Sequence, residues 1–153
     1  MNPPSIAGFA LLALLLAAPA ITFAAGPAAG ASGQAAARAA AKPRVVFQVN
    51  EDDSRKWHTV LANINNVQEE LCGKVEVAVV LIGPGLGMIK ADALTANGVQ
   101  DAMSTGVRFL ACGNSMQSLH LTKDDLIDGV AQVRAGYVEL MRLQKLGYAY
   151  LRP

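Results

Sequence analysis

The chain has 153 residues and a formal net charge of +1, with acids and bases interspersed. That length predicts one domain able to bury a real core, and the charge leaves no basic patch to grip a phosphate backbone, which excludes a nucleic-acid binder. Two cysteines are too few for a disulfide-built scaffold, so apolar burial has to carry the fold.

Ile6 to Leu16 is an unbroken apolar run, followed by Ala-, Pro- and Thr-rich sequence. It is short for a bilayer, which takes about 20 residues, and suits the h-region of a secretory signal peptide. Residues 1–24 are therefore expected to be that peptide, with cleavage after Ala24 placing Thr22 and Ala24 at the small-residue positions. Cleavage after Ala20 is one alternative and an uncleaved anchor is another. The expected place is the periplasm, with no membrane attachment after cleavage. Residues 25–43 are mostly Ala, Gly, Pro, Ser and Gln and read as a disordered linker.

The folded domain is expected over residues 44–153. Arg44 to Val49 is a β-branched run and the first strand. Asp53 or Ser54 caps a helix whose apolar residues, from Trp57 through Val60, Leu61, Ile64 and Val67 to Leu71, fall on one face, and Gly73 stops it. Val75 to Ile82 is a strand covered on both sides. Gly83-Pro84-Gly85-Leu86-Gly87 is a loop, with a helical stretch expected from Met88 to Leu94. Asn97 caps a short helix carrying Val99 and Met103, ended by Gly106. Val107 to Ala111 is the third strand, and one helical turn carries Met116 and Leu119. Thr122 caps Lys123 to Asp128. Val130 to Val133 is a strand, Ala135 to Leu146 a helix stopped by Gly147, and Tyr148 to Leu151 the last strand. Strands alternating with helices, with no hairpin, predict an α/β fold: a three-layer α/β/α sandwich on a five-stranded parallel sheet.

Cys112 is the leading candidate for chemistry. It stands where the third strand ends and Gly113-Asn114-Ser115 begins a helix, on the carboxyl edge where open α/β sheets bind ligands. Helix-start N–H groups favour a thiolate, and Gly113 and Ser115 leave room for a bound sulfur atom. The bland alternative is a buried apolar cysteine. Cys72 follows a helix at the amino edge, roughly 15–20 Å away by strand length, so it is expected to be structural and not bridged to Cys112. His58 and His120 are the only histidines and no pair has metal-ligand spacing, so no metal is expected. His120, eight positions after Cys112, reads as a surface residue. The glycine loop fails the dinucleotide fingerprint, because Met88 stands where its third glycine belongs. Its free N–H groups, at Gly83 and Gly85, are instead expected to face a small anion near Cys112. Glu51-Asp52-Asp53 reads as a solvated loop at the same edge.

Three stretches carry a family resemblance: Ile82-Gly83-Pro84-Gly85-Leu86, the run Gly106 to Met116 around Cys112, and Gly136 to Pro153. Together they resemble the DsrE/DsrF-like family in its exported branch, over Arg44 to Pro153. The resemblance implies a three-layer domain assembled into homo- or hetero-oligomers. It also implies sulfur relay as a cysteine persulfide between partner proteins, with Cys112 at the acceptor position and no cofactor. This chain departs from the better-known members after the cysteine, where Gly113-Asn114-Ser115-Met116-Gln117 replaces a small-residue helix with basic residues. The leading expectation is a periplasmic sulfur carrier or sulfurtransferase-like protein using Cys112, with Gly113, Asn114, Ser115, Gly83 and Gly85 around the substrate. Its expected partners are a second copy of the chain and a sulfur donor or acceptor protein. The rivals are a non-catalytic oligomeric binding or assembly subunit and a thiol redox sensor.

Overall fold

The structure is a computed structural model and describes residues 42–153. The expected signal peptide, and the linker up to residue 41, lie outside the described residues.

β1 (Arg44–Val49) leads to Asp53, whose extended backbone and carboxylate cap α1 (Ser54–Glu70). The carboxylate accepts the amides of Arg55 at 2.9 Å and Lys56 at 3.4 Å, satisfying two of the orphan donors of the first turn. The apolar stripe Trp57, Val60, Leu61 and Ile64 is buried. Past the helix end, both Cys72 (φ 49°) and Gly73 (φ 70°) adopt the left-handed conformation, and the chain turns into β2 (Glu76–Leu81). α2 (Ala96–Ser104), β3 (Arg108–Cys112), α3 (Gly113–Ser118), β4 (Ala131–Val133), α4 (Gly136–Lys145) and β5 (Ala149–Leu151) follow.

All five strands are parallel, in the order β4-β3-β2-β1-β5. The first three crossovers step the same way along the sheet, and the last returns across it to pair β5 with β1. Right-handed crossovers then place α1, α2 and α3 on one face and α4 alone on the other. The core divides accordingly. Phe47, Val79, Leu81 and Phe109 pack with Ile64, Val99 and Met116 on the first face. Val46, Ala78, Val80, Leu110 and Cys112 pack with Leu140, Leu143 and Tyr148 on the second. Each fully buried Val, Leu or Phe side chain contributes roughly 1.5–3 kcal/mol, so these two clusters hold the layers together.

Three local expectations are corrected. The glycine stretch is a 3-10 helix, Gly83–Ile89, with Pro84 in its first turn, and residues 90–94 are not helical. Backbone groups there are taken by tertiary partners: Thr95 Oγ1 donates to the Met88 carbonyl at 2.8 Å, and Lys90 bridges Leu126 in antiparallel fashion. Asn97 lies inside the first turn of α2, whose N-cap is Thr95. The Thr122 cap is present as a capping box with Asp125, but it opens only a 3-10 turn, Lys123–Asp125. No helix of the described residues is long and apolar enough to cross a membrane.

Candidate functional site at the end of the third strand

Cys112 is both the last residue of β3 and the N-cap of α3, with an extended backbone (φ −72°, ψ 112°). Strand parity turns its side chain to the α4 face, beside Ile82 and Leu110. Its Sγ accepts the amide of Gly136, the first residue of α4, at 3.2 Å. Burial is the largest influence on the thiol and pushes its pKa up. The Ser115 hydroxyl, the Gly136 amide and the amides of Ser115 and Asn114 together outweigh it and leave the pKa below the ordinary thiol value. Local hydrogen bonds act here more than a helix dipole, since α3 has only six residues.

The sulfur itself is covered. Cys112 is 4% exposed. A Cβ built on Gly113 would lie 2.8 Å from Gln132 Nε2 and 3.1 Å from the Val133 carbonyl oxygen, so the end of β4 closes over this corner. The expectation that Cys72 is a structural residue is corrected. Cys72 is exposed, in a left-handed turn beside a surface depression it shares with Asn65, Gln68 and Thr105, and is no packing residue. Both cysteines are free and lie toward opposite edges of the sheet, Cys72 before β2 and Cys112 at the end of β3.

The other predicted residues divide. Ser115 belongs to the sulfur's surroundings, and its Oγ also accepts the amide of Gly83 at 2.8 Å. The Gly85 amide goes to the Ile82 carbonyl at 3.2 Å. The expectation that these two amides are free for an anion is therefore corrected: both are engaged within the protein. Gly85 serves packing, since a Cβ there would run into the Val49 carbonyl and stand 2.9 Å from Asn50 Cα. Asn114 is exposed, and its amide donates to the Arg134 carbonyl at 3.2 Å. His120 is exposed in a left-handed turn. Glu51 is not simply solvated: its carboxylate meets Arg152 at 2.9 Å and Lys56 at 3.4 Å. That ion pair joins the ends of β1 and β5, the point where the direction of chain progression through the sheet reverses, two strands away from Cys112.

Sequence reading missed Gly136. The available signal was a glycine at the first helical position, after the N-cap Ala135, where a poor helix former needs a packing reason. A Cβ at Gly136 would stand 2.5 Å from Ile82 Cγ1 and 3.2 Å from Cys112 Cβ, so only glycine brings this amide to the sulfur. Among the described residues no cluster of three or more His, Cys, Asp or Glu could hold a metal ion.

A parallel five-stranded α/β sandwich with a cysteine closing its third strand is the class these features define. The chain belongs to the DsrE/DsrF-like family, whose model matches residues 21–153. That family is associated with sulfur relay. A solved protein of unknown function from Methanobacterium thermoautotrophicum is 33% identical, over 72% of this chain and 99% of its own, with a TM-score of 0.70. The ychN protein from E. coli shares the fold at 15% identity and a TM-score of 0.61, over 72% of this chain and 99% of its own. A conserved protein of unknown function from Bacteroides thetaiotaomicron does so at 13% identity and a TM-score of 0.60, over 72% and 94%. No curated protein matches the chain.

Proposed function

We propose that the protein is an exported sulfur carrier that holds sulfane sulfur as a persulfide on Cys112. The observation that carries this reading is the convergence of donors on one sulfur, led by the Gly136 amide at 3.2 Å. Such donors stabilise a thiolate, and a thiolate is the nucleophile that sulfur transfer requires. The step balances without a cofactor. The Cys112 thiolate attacks the outer sulfur of a donor persulfide, a new S–S bond forms to Cys112, the donor's S–S bond breaks, and the donor leaves as a thiolate. Transfer to an acceptor thiol reverses the roles. Ser115, Gly113 and Asn114 surround the sulfur during the exchange, and the partners are a donor or acceptor protein and further copies of this chain.

The test is to treat the mature protein with a sulfane-sulfur donor and read intact mass. The carrier reading requires a gain of one sulfur atom that survives Cys72→Ser and disappears in Cys112→Ser. Equal labelling of the two single mutants would mean nonspecific thiol chemistry. The second reading, a non-catalytic assembly subunit, is favoured by the 4% exposure of Cys112 and gains if wild type takes up no sulfur. Export to the periplasm is supported by the apolar run Ile6 to Leu16. Sequencing the N-terminus of protein from its host decides it, and Met1 or Asn2 at the mature end would refute cleavage.

A further inference from the structure

We propose that the corner Arg134–Gly136, between β4 and α4, is a strap over Cys112 that donates to the sulfur while closed and lifts off before any reagent reaches it. The proposal rests on the reading of Cys112 as a reactive thiol and adds how access to it is controlled.

Outside the bonds of α4 itself, two hydrogen bonds and the packing of buried Gly136 against Ile82 tie the strap down. The Gly136 amide donates to Cys112 Sγ at 3.2 Å, and the Arg134 carbonyl accepts the Asn114 amide at 3.2 Å. The strand leading into it, β4, has three residues, lies at the sheet edge and pairs on one side only, with β3. Its Ala131 and Gln132 are exposed, as is Arg134. On the outer side of the corner is an open depression lined by Val133, Arg134, Ala135, Val138 and Glu139. The strap is therefore a thin layer, with solvent on one side and the sulfur on the other. Opening this corner gives up two hydrogen bonds and the packing of Gly136, whereas β1, β2 and β3 stay locked in the core.

The two positions of the strap have opposite chemistry. Closed, it stabilises the thiolate and bars the donor's approach. Open, it exposes the sulfur and withdraws one of its donors. A persulfide on Cys112 would be shielded from stray thiols in the first state and handed on in the second.

The experiment uses the full chain with Cys72→Ser, alkylated at Cys112 by iodoacetamide across sub-denaturing urea. The expected labelling is at least about tenfold slower than for the urea-unfolded chain, with a urea slope well below that of global unfolding, which marks a local opening. Adding Gly136→Ala should wedge the strap off Ile82 and speed labelling about tenfold, the order expected of an overpacked contact. Labelling of the parent as fast as in the unfolded chain would overturn the strap, and so would labelling that carries the full urea slope of unfolding. A folded Gly136→Ala protein that labels at the parent's rate would also overturn it. If Gly136→Ala does not fold, the parent's urea slope alone decides. Failure of the carrier reading is seen separately, as absent sulfur loading in a protein that still shows the gated alkylation.

Discussion

Gly83 donates its amide to Ser115 Oγ at 2.8 Å, tying the corner after β2 to the first turn of α3 across 32 residues. Gly83 holds φ +54°, a conformation that glycine adopts without strain. Ser115→Ala removes the acceptor and also the hydroxyl that holds the Cys112 pKa down. The alkylation profile of Cys112 should then shift to higher pH, toward that of an ordinary thiol. Unfolding free energy should fall by about 1 kcal/mol at neutral pH, the usual worth of one such bond. The sign of the pH effect follows from the lowered pKa. A thiolate favoured in the folded state adds stability above the ordinary thiol pKa, and the contribution is lost as pH falls through the lowered one. The extra penalty of Ser115→Ala should therefore grow in mildly alkaline urea titrations. An unchanged alkylation profile would remove Ser115 from the site.

Gly85 tests whether the glycine stretch is there for packing. Its missing side chain faces backbone, the Val49 carbonyl and Asn50 Cα, which cannot swing aside. Gly73 faces open space, and an alanine there bears only the strain of φ +70°. Gly85→Ala should cost about 1–3 kcal/mol or more, as overpacking does. Gly73→Ala should cost about 1 kcal/mol, as a left-handed alanine does. Urea midpoints at constant slope give both values. A tolerated Gly85→Ala would show the loop to be looser than its contacts state.

Local patterns made much of the fold legible. The run Arg44 to Val49, the cap at Asp53, the stop at Gly73 and the box from Thr122 to Asp125 are each written within a few adjacent residues. The family and its sandwich were readable from the stretches around Gly83, Cys112 and Tyr148. What failed depends on partners distant in sequence. The expected helix over residues 88–94 does not form because Thr95 Oγ1, the Ile127 amide and the Asp125 carbonyl take backbone groups of Met88, Ile89 and Ala91. The burial of Cys112, and the part played by Gly136, arise from the chain returning past β4 to the end of β3, 24 positions on. Strand-end position located the sulfur, but no local pattern reports what lies above it.

α4 bears on assembly. Among the described residues it is the only helix on its face of the sheet, and it buries Leu140 and Leu143 there. Tyr137 (59%), Val138 (64%) and Met141 (60%) remain exposed on adjacent turns, too large an apolar stripe to leave in water without a role. We propose that this stripe packs against another copy of the chain. Light scattering at micromolar concentration should give a multiple of the chain mass. Met141→Lys should shift the population toward monomer with the circular dichroism spectrum unchanged. A wild-type monomer would count against the idea.

Tyr148 anchors the amino edge of the same face. Its hydroxyl donates to Glu76 Oε2 at 2.8 Å and accepts from Arg108 Nη2 at 2.9 Å, while the Arg44 and Arg108 guanidinium groups each lie 5.9 Å from its ring centre. Burial, then the neighbouring Glu76, raises the phenol pKa, so it stays protonated and able to donate. The same hydroxyl is the main reason that the Glu76 carboxylate lies below its usual range; burial opposes it, and Arg44 adds to the lowering. Tyr148→Phe keeps the ring and its stacking and removes only these bonds. The expected cost near neutral pH is about 1 kcal/mol, kept small because the Glu76 side chain is 39% exposed and water can replace the lost donor. Because the folded-state pKa of Glu76 is lowered, its contribution is present above the ordinary carboxylate range and fades as pH falls through the lowered value. The penalty for Tyr148→Phe should shrink between about pH 7 and pH 3, as the share of ionised carboxylate that the phenol can bond falls. Paired urea titrations of wild type and Tyr148→Phe at those two pH values make the measurement. A penalty that is the same at both would assign the stabilisation to Arg108, which keeps its charge throughout, and take Glu76 out of the account.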